Sequence, residues 1–253
     1  MPANETDPVD QYFRAIRTVL DSIDFTQLRA AGTLIAAALD SGGIIHTFGS
    51  GHSWLLSQEV FCRAAGLVAI NPILDSRLGF EYGALEGTEF ERSIEAAEEL
   101  SKLAGFEAND VGIVISNSGR NALPIEIAMR MKAAGMKVIA MSSMQHSRSV
   151  PSRHASGRRL FEIADLILDN HCPPGDASVQ LVSLPAPMGP LSTISGAAIL
   201  HATLIEAARQ LAVRGRPPSV FVSANVDDAS AGDVKAQIAP YARRIRYYHL
   251  GVP

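Results

Sequence analysis

The sequence predicts an α/β fold, a three-layer αβα sandwich built around a five-stranded parallel sheet. Short aliphatic and β-branched runs alternate with longer stretches in which apolar residues recur at helical spacing, and most of the short runs end on small polar residues. Apolar strands that alternate with helices are typical of a parallel sheet covered on both faces. With 253 residues and 47% hydrophobic content, the chain is long enough to bury such a core as one domain.

The predicted elements follow one another in a regular order. Two helices come first, over residues 10–39 with a break near Asp24, and Gly42 and Gly43 end the second where C-cap geometry favours glycine. The predicted strands are residues 44–48, 67–70, 111–115, 138–141 and 166–168. The other predicted helices are residues 54–65, 92–103, 123–134 and 195–213. Residues 221–226 are a further strand candidate.

Composition argues against several classes of protein. A net charge of −4 provides no basic surface for nucleic acid, and no apolar run reaches the roughly 18 residues of a membrane helix. Cys62 and Cys172 are isolated, which predicts neither a disulfide framework nor a zinc knuckle and fits a reducing cytoplasm. We therefore expect a cytoplasmic protein without nucleic-acid or membrane partners. Its predicted parts are an N-terminal helical segment (1–40), a main domain (41–215) and a C-terminal extension (216–253).

The most informative stretch is the predicted strand 111–115 and the polar loop SNSGRN that follows it. The loop leads directly into a helix, whose first N–H groups lack internal partners and favour negative charge. We interpret it as a binding site for a phosphate ester, and a Ser-rich turn with capping side chains is the alternative. Its candidate ligands are Ser116, Asn117, Ser118, Gly119, Arg120 and Asn121.

Two more predicted strands end in loops of the same kind. The first is followed by GSGHS, which lacks the third glycine of a dinucleotide fingerprint because Trp54 holds that place. No Gly-Lys-Ser/Thr motif indicates a P-loop, so no cofactor is predicted. The candidate ligands in these two loops are Gly49, Ser50, Gly51, Ser53, Ser142 and Ser143. Since the carboxyl ends of parallel strands share one edge of the sheet, we expect all three loops to hold one anion.

These loops resemble those of the SIS, or sugar isomerase, family. The resemblance rests on FGSGHS, ISNSGRN, MSS and PLSTISGAAIL and covers roughly residues 41–215, the main domain. It implies a flavodoxin-like fold and a phosphosugar whose phosphate contacts Ser53, Ser116, Ser118 and Asn121. It also implies a homodimer or homotetramer with sites near the subunit interfaces. Many members carry Glu where this chain has Arg120, which either strengthens anion binding or places the sugar differently.

Glu59 is the candidate general base for aldose–ketose interconversion, which moves a proton between adjacent carbons. It shares a predicted helical stripe with Leu55 and Cys62, where partial desolvation would raise its pKa towards neutrality. The resemblance to phosphoheptose isomerase also places that enzyme's catalytic Glu here, in the pattern Glu59-x-x-x-Arg63. The alternative is a plain i,i+4 ion pair between Glu59 and Arg63.

Two histidines are candidates for the remaining proton transfers. His201 lies on the apolar stripe of the predicted helix 195–213, where a core histidine with satisfied nitrogens is the alternative, and the resemblance to phosphoheptose isomerase is what favours catalysis. His52, in the first loop, acts as an acid or a substrate contact, or else bonds the loop backbone. No metal is predicted, because neither HxxxH nor HExxH spacing is present.

The segment 146–159, HSRSVPSRHASGRR, is basic and contains no acidic residue. Three interpretations stay open: a clamp for a second anionic group of the substrate, a contact with acidic surface on a neighbouring subunit, and a solvated loop. For the whole chain, the sequence predicts a phosphosugar-binding protein that interconverts an aldose and a ketose phosphate. A non-catalytic sugar-phosphate sensor and a phosphosugar lyase or deaminase are the alternatives.

Overall fold

The computed structural model describes residues 7–81, 83–223, 225 and 233–248. Within these residues the strands are β1 (Ile45–Gly49), β2 (Ile70–Pro72), β3 (Val111–Ile115), β4 (Lys137–Ser142) and β5 (Leu166–Asp169). The helices are α1 (Pro8–Asp21), α2 (Phe25–Asp40), α3 (His52–Glu59), α4 (Ala84–Phe90), α5 (Glu95–Ala104), α6 (Ala122–Ala133), α7 (Met144–Ser149), α8 (Ser192–Val213) and α9 (Val234–Ile238).

All five strands run parallel, in the order β2-β1-β3-β4-β5, which confirms the predicted fold class. The register aligns the last residues of the three central strands, because Gly49 pairs with Ile115 and Ile115 pairs with Met141. The loops after β1, β3 and β4 therefore start at the same level of the carboxyl edge. Ligands of open α/β sheets bind at this edge.

Each face of the sheet carries its own apolar layer. One layer joins β-strand side chains such as Ile113 and Met141 to apolar residues of α2, α3 and α8, including Ile35 and Ile199. The other joins the opposite side chains, such as Val114, to residues of α5 and α6. Because successive residues of a strand point to opposite faces, two covered faces require the continuous apolar strands seen in the sequence.

Some predicted boundaries differ from the observed ones for local reasons. The helix predicted over 54–65 ends at Glu59, and both Cys62 and Ala65 then adopt positive φ angles that an α-helix cannot accommodate. Leu67 forms an antiparallel bridge with Val220 instead of starting β2. Residues 221–223 form no strand, while 224 and 226 of the same candidate lie outside the described residues. The short helices α4 and α7 were not predicted.

Asp110 organises the amino edge of the sheet, opposite to the ligand edge. Its carboxylate accepts hydrogen bonds from the backbone N–H groups of Ile44 and Glu107, both at 2.9 Å. It also accepts one from His46 Nε2 at 3.0 Å and two from Arg244, at 3.0 and 2.7 Å. Burial alone raises the pKa of Asp110, but the bonds from these groups outweigh it and hold that pKa well below its ordinary value.

This network attaches the C-terminal segment 233–248 to the domain. Beside Arg244, the buried Ile245 packs on the apolar residues that precede β1 and β2. Tyr248 stacks on Phe61 and donates its hydroxyl to the Val68 carbonyl at 2.7 Å. No helix among the described residues combines the length and the apolar character that a membrane crossing needs.

Candidate functional site

A small cleft opens at the carboxyl edge, between the N-termini of α3 and α8. Leu56, Ile115 and Met141 form its apolar lining. Its polar lining is His52, Ser53, Asn117, Asn170, Ser192 and Thr193. These residues come from the starts of two helices and from the loops after β3 and β5, so the parallel register is what brings them together. Helix N-termini favour negative charge, and hydroxyl and amide groups add hydrogen-bond donors.

The loop after β3 is held in shape by its own serines. Ser116 Oγ accepts a hydrogen bond from the Gly119 N–H at 3.2 Å, and Ser142 Oγ donates to the Ser116 carbonyl at 2.7 Å. Gly119 has φ +58°, and a Cβ there would lie 2.9 Å from Ser147 Oγ, so this position requires glycine on two counts. Ser116 and Ser142 therefore shape the loop, while Asn117, joined to Asn170 at 2.9 Å, faces the cleft.

Other predicted ligands make internal contacts. Ser50 Oγ donates to Glu91 Oε1 at 2.7 Å. Ser143 caps α7, since its Oγ accepts the His146 N–H at 3.1 Å and donates to a backbone carbonyl at 2.6 Å. Asn121 Oδ1 accepts from Arg153 Nη1 at 2.9 Å.

The backbone around β1 explains its two glycines. A Cβ on Gly49 would lie 2.3 Å from the Ser53 carbonyl oxygen, so Gly49 permits the close approach of strand and helix. Gly51 has φ +56° and donates its N–H to the Leu78 carbonyl at 2.8 Å.

Ser118 is half-buried in the loop after β3. Of the ligands predicted from sequence, His52, Ser53 and Asn117 line the cleft itself.

Three lining residues were not among the predicted ligands. Asn170 follows β5 directly, and Ser192 and Thr193 lie in the PLSTISG stretch that opens α8. The signal was present, since each is a small polar residue at a strand end or a helix start. Asp176 caps α8 by accepting from the Ser192 N–H at 2.9 Å and from Ser192 Oγ at 2.6 Å.

Glu59, Arg63 and His201 form a second polar group, which we call the Glu59 trio. His201 Nε2 lies 3.2 Å from Glu59 Oε1 and 3.5 Å from Arg63 Nη1, and Arg63 also forms an ion pair with Glu59. Arg63 and His201, but not Glu59, line a hollow of about 410 Å³ whose other walls are apolar. These walls include Val60, Leu67, Leu204, Ile205, Ala208 and Val220.

The electrostatics of the trio differ in part from the prediction. The Glu59 side chain is 41% exposed, so the desolvation expected from the helical stripe is not found in the single chain. Its predicted neighbours on that stripe, Leu55 and Cys62, are exposed as well. Burial, followed by repulsion from Arg63, lowers the pKa of His201 and keeps its ring neutral at pH 7.

The cleft and the trio lie along the same pair of helices. Ser53 and Glu59 are six residues apart on α3, which places them about 9 Å apart along the helix axis. Between them, Leu56 packs on Gly196 of α8, where a Cβ would lie only 2.6 Å from Leu56 Cδ1. Among the described residues, no group of three or more His, Cys, Asp and Glu side chains is arranged to hold a metal ion.

A family model described as the SIS domain matches residues 11–143, just over half of the chain. A UPF0309 protein of Geobacillus kaustophilus is 38% identical over 240 residues, which cover 94% of this chain and 95% of that protein. A UPF0309 protein of Listeria innocua is 36% identical over 237 residues, with 94% and 95% coverage.

Solved structures with the same fold include two phosphoheptose isomerases. The enzyme from Neisseria gonorrhoeae superposes with a TM-score of 0.53 at 18% identity, covering 78% of this chain and 92% of its own. The enzyme from Francisella tularensis gives 0.52 at 16% identity, covering 80% and 97%. At these identities the likeness concerns the fold alone.

Proposed function

We propose that this chain, which belongs to the SIS domain family as its loop motifs predicted, binds a phosphosugar in the cleft between α3 and α8. The observation that carries the proposal is the meeting of hydroxyl and amide groups from separate chain segments at the carboxyl edge of the sheet. The N-termini of two helices open at the same point; Asp176 already caps α8, so the dipole of α3 and the hydroxyl and amide groups of the cleft are what would stabilise a phosphate there. The phosphoheptose isomerases that share the fold support a phosphorylated sugar as the ligand.

For the reaction we propose aldose–ketose interconversion with Glu59 as the general base. Because Leu56 packed on Gly196 closes the way between α3 and α8, a linear sugar whose phosphate is anchored at Ser53 would extend towards Glu59 along the exposed face of α3 that carries Leu55. The carboxylate removes the proton from the carbon next to the carbonyl group, a proton passes between the two oxygens of the resulting enediolate, and Glu59 returns a proton, partly exchanged with solvent, to the former carbonyl carbon, so that no atom is gained or lost. His201 donates its Nε2–H to Glu59 and orients it, while His52, exposed at the cleft, assists ring opening.

We also expect a second copy of the chain to cover the Glu59 trio. Leu55, Ile194 and Ile205 are large apolar residues exposed on α3 and α8, and Ile205 is 68% exposed. Covering them would bury the half-exposed Glu59 and raise its basicity by desolvation. Replacing Ile205 with Glu should then lower the mass measured by light scattering and reduce turnover together, whereas an unchanged mass would argue against this surface as the interface.

The direct test measures, by NMR in D2O, the uptake of solvent deuterium at C2 of aldose phosphates and at C1 of ketose phosphates, together with their interconversion. The wild type should exchange at least one of them, and Glu59→Gln should abolish exchange while changing the affinity less than about threefold, because the phosphate contacts remain. Ser53→Ala should weaken binding roughly tenfold or more, since a hydrogen bond to a charged group contributes about 1.5–3 kcal/mol. Glu98→Gln, which removes a surface ion pair with Lys102, is the control and should change neither quantity.

The outcomes separate the alternatives. Tight binding without exchange of any bound substrate would rule out isomerisation and favour a sugar-phosphate sensor. Release of ammonia or lactate from an amino-sugar phosphate would instead indicate a lyase or deaminase, which starts with the same proton abstraction. A wild type that binds no member of the panel would refute the phosphosugar assignment.

A further inference from the structure

Three arginines gather at the carboxyl edge, beside the N-terminus of α6 and outside the cleft. Arg92, Arg120 and Arg153 come from three separate segments, and we call them the arginine group. The Arg153 N–H donates to the Arg120 carbonyl at 2.8 Å, which joins two of the segments. The third is joined through α6, because the Leu123 N–H donates to the Glu91 carbonyl at 3.1 Å and Arg92 follows Glu91.

The basic segment 146–159 divides into two parts in the structure. Arg159 pairs with Glu162 at 3.0 Å, so its charge is neutralised locally, and the His154 ring contacts Glu126 at 3.1 Å. Arg153 instead turns to the loop after β3, where its Nη1 donates to Asn121 Oδ1 at 2.9 Å. The segment is therefore not a uniformly solvated basic loop.

Positive charge in the arginine group exceeds the negative charge around it. Within the part of the chain that the structure describes, no carboxylate lies within ion-pair distance of Arg92, Arg120 or Arg153. Glu91, whose Oε1 accepts from Ser50, acts on Arg153 only at longer range. Burial, and then repulsion from Arg120 and Arg92, lowers the pKa of Arg153.

Buried polar atoms beside the group also lack partners. Arg120 Nε, His146 Nδ1 and Ser147 Oγ are buried without a hydrogen bond to any residue that the structure describes. Ser147 is fully buried, and its hydroxyl faces Gly119 in the loop after β3. A buried polar atom left without a partner costs about 1–3 kcal/mol, and Arg120 Nε, which belongs to the arginine group itself, leaves hydrogen-bonding capacity for a ligand there.

We propose that the arginine group binds a second anionic group of the substrate, so that the substrate is a sugar phosphate that also carries a carboxylate or another phosphate. This rests on the proposed function, in which the first phosphate occupies the cleft. Asn117 in the cleft and Arg120 are three residues apart, so their Cα atoms are at most about 11 Å apart, a separation that a sugar with an anion at each end spans. Guanidinium groups bind carboxylate and phosphate equally well in the bidentate geometry, and the α6 dipole adds to the attraction.

The first experiment counts the phosphate sites of the full chain with inorganic phosphate, by calorimetric titration. The wild type should show two sites. Arg120→Gln should weaken one of them about tenfold or more, Ser53→Ala should weaken the other, and Arg158→Gln, from the same basic segment, should retain both. Arg153→Gln, which changes an exposed side chain, should repeat the effect of Arg120→Gln and guards against a folding defect.

The titration tests the two proposed sites independently. If only the Ser53-dependent site is found, or if both arginine variants keep two sites, the inference is overturned and the phosphosugar proposal stands. If only the arginine-dependent site is found, the cleft assignment falls, and with it the bridging substrate proposed here.

A second experiment tests whether one ligand uses both sites. Fructose 1,6-bisphosphate and 6-phosphogluconate each carry two anionic groups, and fructose 6-phosphate carries one. At least one of the first two should bind the wild type about tenfold more tightly than fructose 6-phosphate, and Arg120→Gln should remove that advantage while Arg158→Gln keeps it. Comparing the two distinguishes a phosphate from a carboxylate as the second group. No advantage for either, or an advantage that survives Arg120→Gln, would overturn the inference.

Discussion

The two edges of the sheet differ in whether their buried polar groups have hydrogen-bond partners. At the amino edge, Asp110 accepts five hydrogen bonds, from two backbone N–H groups, His46 and Arg244. At the carboxyl edge, Arg120 Nε and Ser147 Oγ are buried and have no hydrogen-bond partner in the described part of the chain. Both regions join segments that are far apart in the chain. A saturated network stabilises the fold, whereas unpaired donors beside a cleft leave capacity for a ligand.

The amino edge illustrates how a saturated network is built. His46 Nε2 must carry the proton, because it faces the Asp110 carboxylate, and Nδ1 is left to accept from Asn71 Nδ2 at 3.2 Å. The ring is thus held in one tautomer by a partner on each side. Arg120 does not have a comparable set of partners. Among the described residues, no carboxylate forms an ion pair with it.

Removing the acceptor at the amino edge should give the largest effect. Asp110→Asn leaves the Arg244 and His46 donors without their charged partner, and we expect a loss of about 3–5 kcal/mol in the free energy of unfolding. Denaturant unfolding followed by circular dichroism measures it. Glu98→Gln is the matched surface control, for which we expect no measurable change. If both variants had the same free energy of unfolding, the Asp110 network would not be the stabilising element that distinguishes the amino edge.

The same network should make the protein sensitive to acid. Because the folded pKa of Asp110 is depressed, its contribution to stability is fully present above about pH 4, the ordinary pKa of an Asp in the unfolded chain. The contribution is lost as the pH falls towards the folded value. Unfolding curves from pH 7 to pH 2 should therefore show a steeper loss of stability for the wild type than for Asp110→Asn, and parallel profiles would contradict the assignment.

A smaller effect is expected from the glycine of the carboxyl-edge loop. Gly119→Ala places a Cβ 2.9 Å from Ser147 Oγ at a positive φ, whereas Gly157→Ala meets the same backbone strain with nothing within 4 Å. The strain alone costs about 1–2 kcal/mol, so Gly157→Ala should lose that amount and Gly119→Ala somewhat more. Only Gly119→Ala should also lose phosphate binding, measured by calorimetry. Equal binding by the two variants would show that the loop shape is not needed for the ligand.

The smallest effect, with the opposite sign, should come from the unpaired hydroxyl. Ser147 and Ser142 are both fully buried, but only Ser142 Oγ donates a hydrogen bond, to the Ser116 carbonyl. We expect Ser142→Ala to lose about 1 kcal/mol, and Ser147→Ala to be neutral or more stable by up to about 1 kcal/mol, since it removes an unsatisfied group. Thermal unfolding of the ligand-free protein compares them. A clear loss in Ser147→Ala would mean that this hydroxyl has a structural partner after all.

Part of the candidate cleft could be predicted because strand ends can be recognised in the sequence. The run VGIVI followed by SNSGRN marks a buried strand that opens into a polar loop, and parallel strands bring such loops together. His52, Ser53 and Asn117 were found this way. Asn170 and Thr193 line the same cleft and are also small polar residues at a strand end and a helix start, but this signal is shared by ordinary turn and cap residues, so the packing of α8 against α3 was needed to select them.

The amino-acid sequence by itself determined the parallel α/β fold. The spacing of apolar residues and the positions of glycines are set by neighbouring residues in the chain and do not depend on tertiary contacts. The sequence also predicted that the polar loops share one edge and gave Glu59 and His201 as separate catalytic candidates. Only the tertiary structure decided which polar groups are satisfied: Ser116 holds its own loop, Arg159 is neutralised by Glu162, and Arg120 is left unpaired. The physical reason is that a hydrogen bond or an ion pair depends on the distance between atoms from remote segments, and that distance is fixed only when the chain has packed.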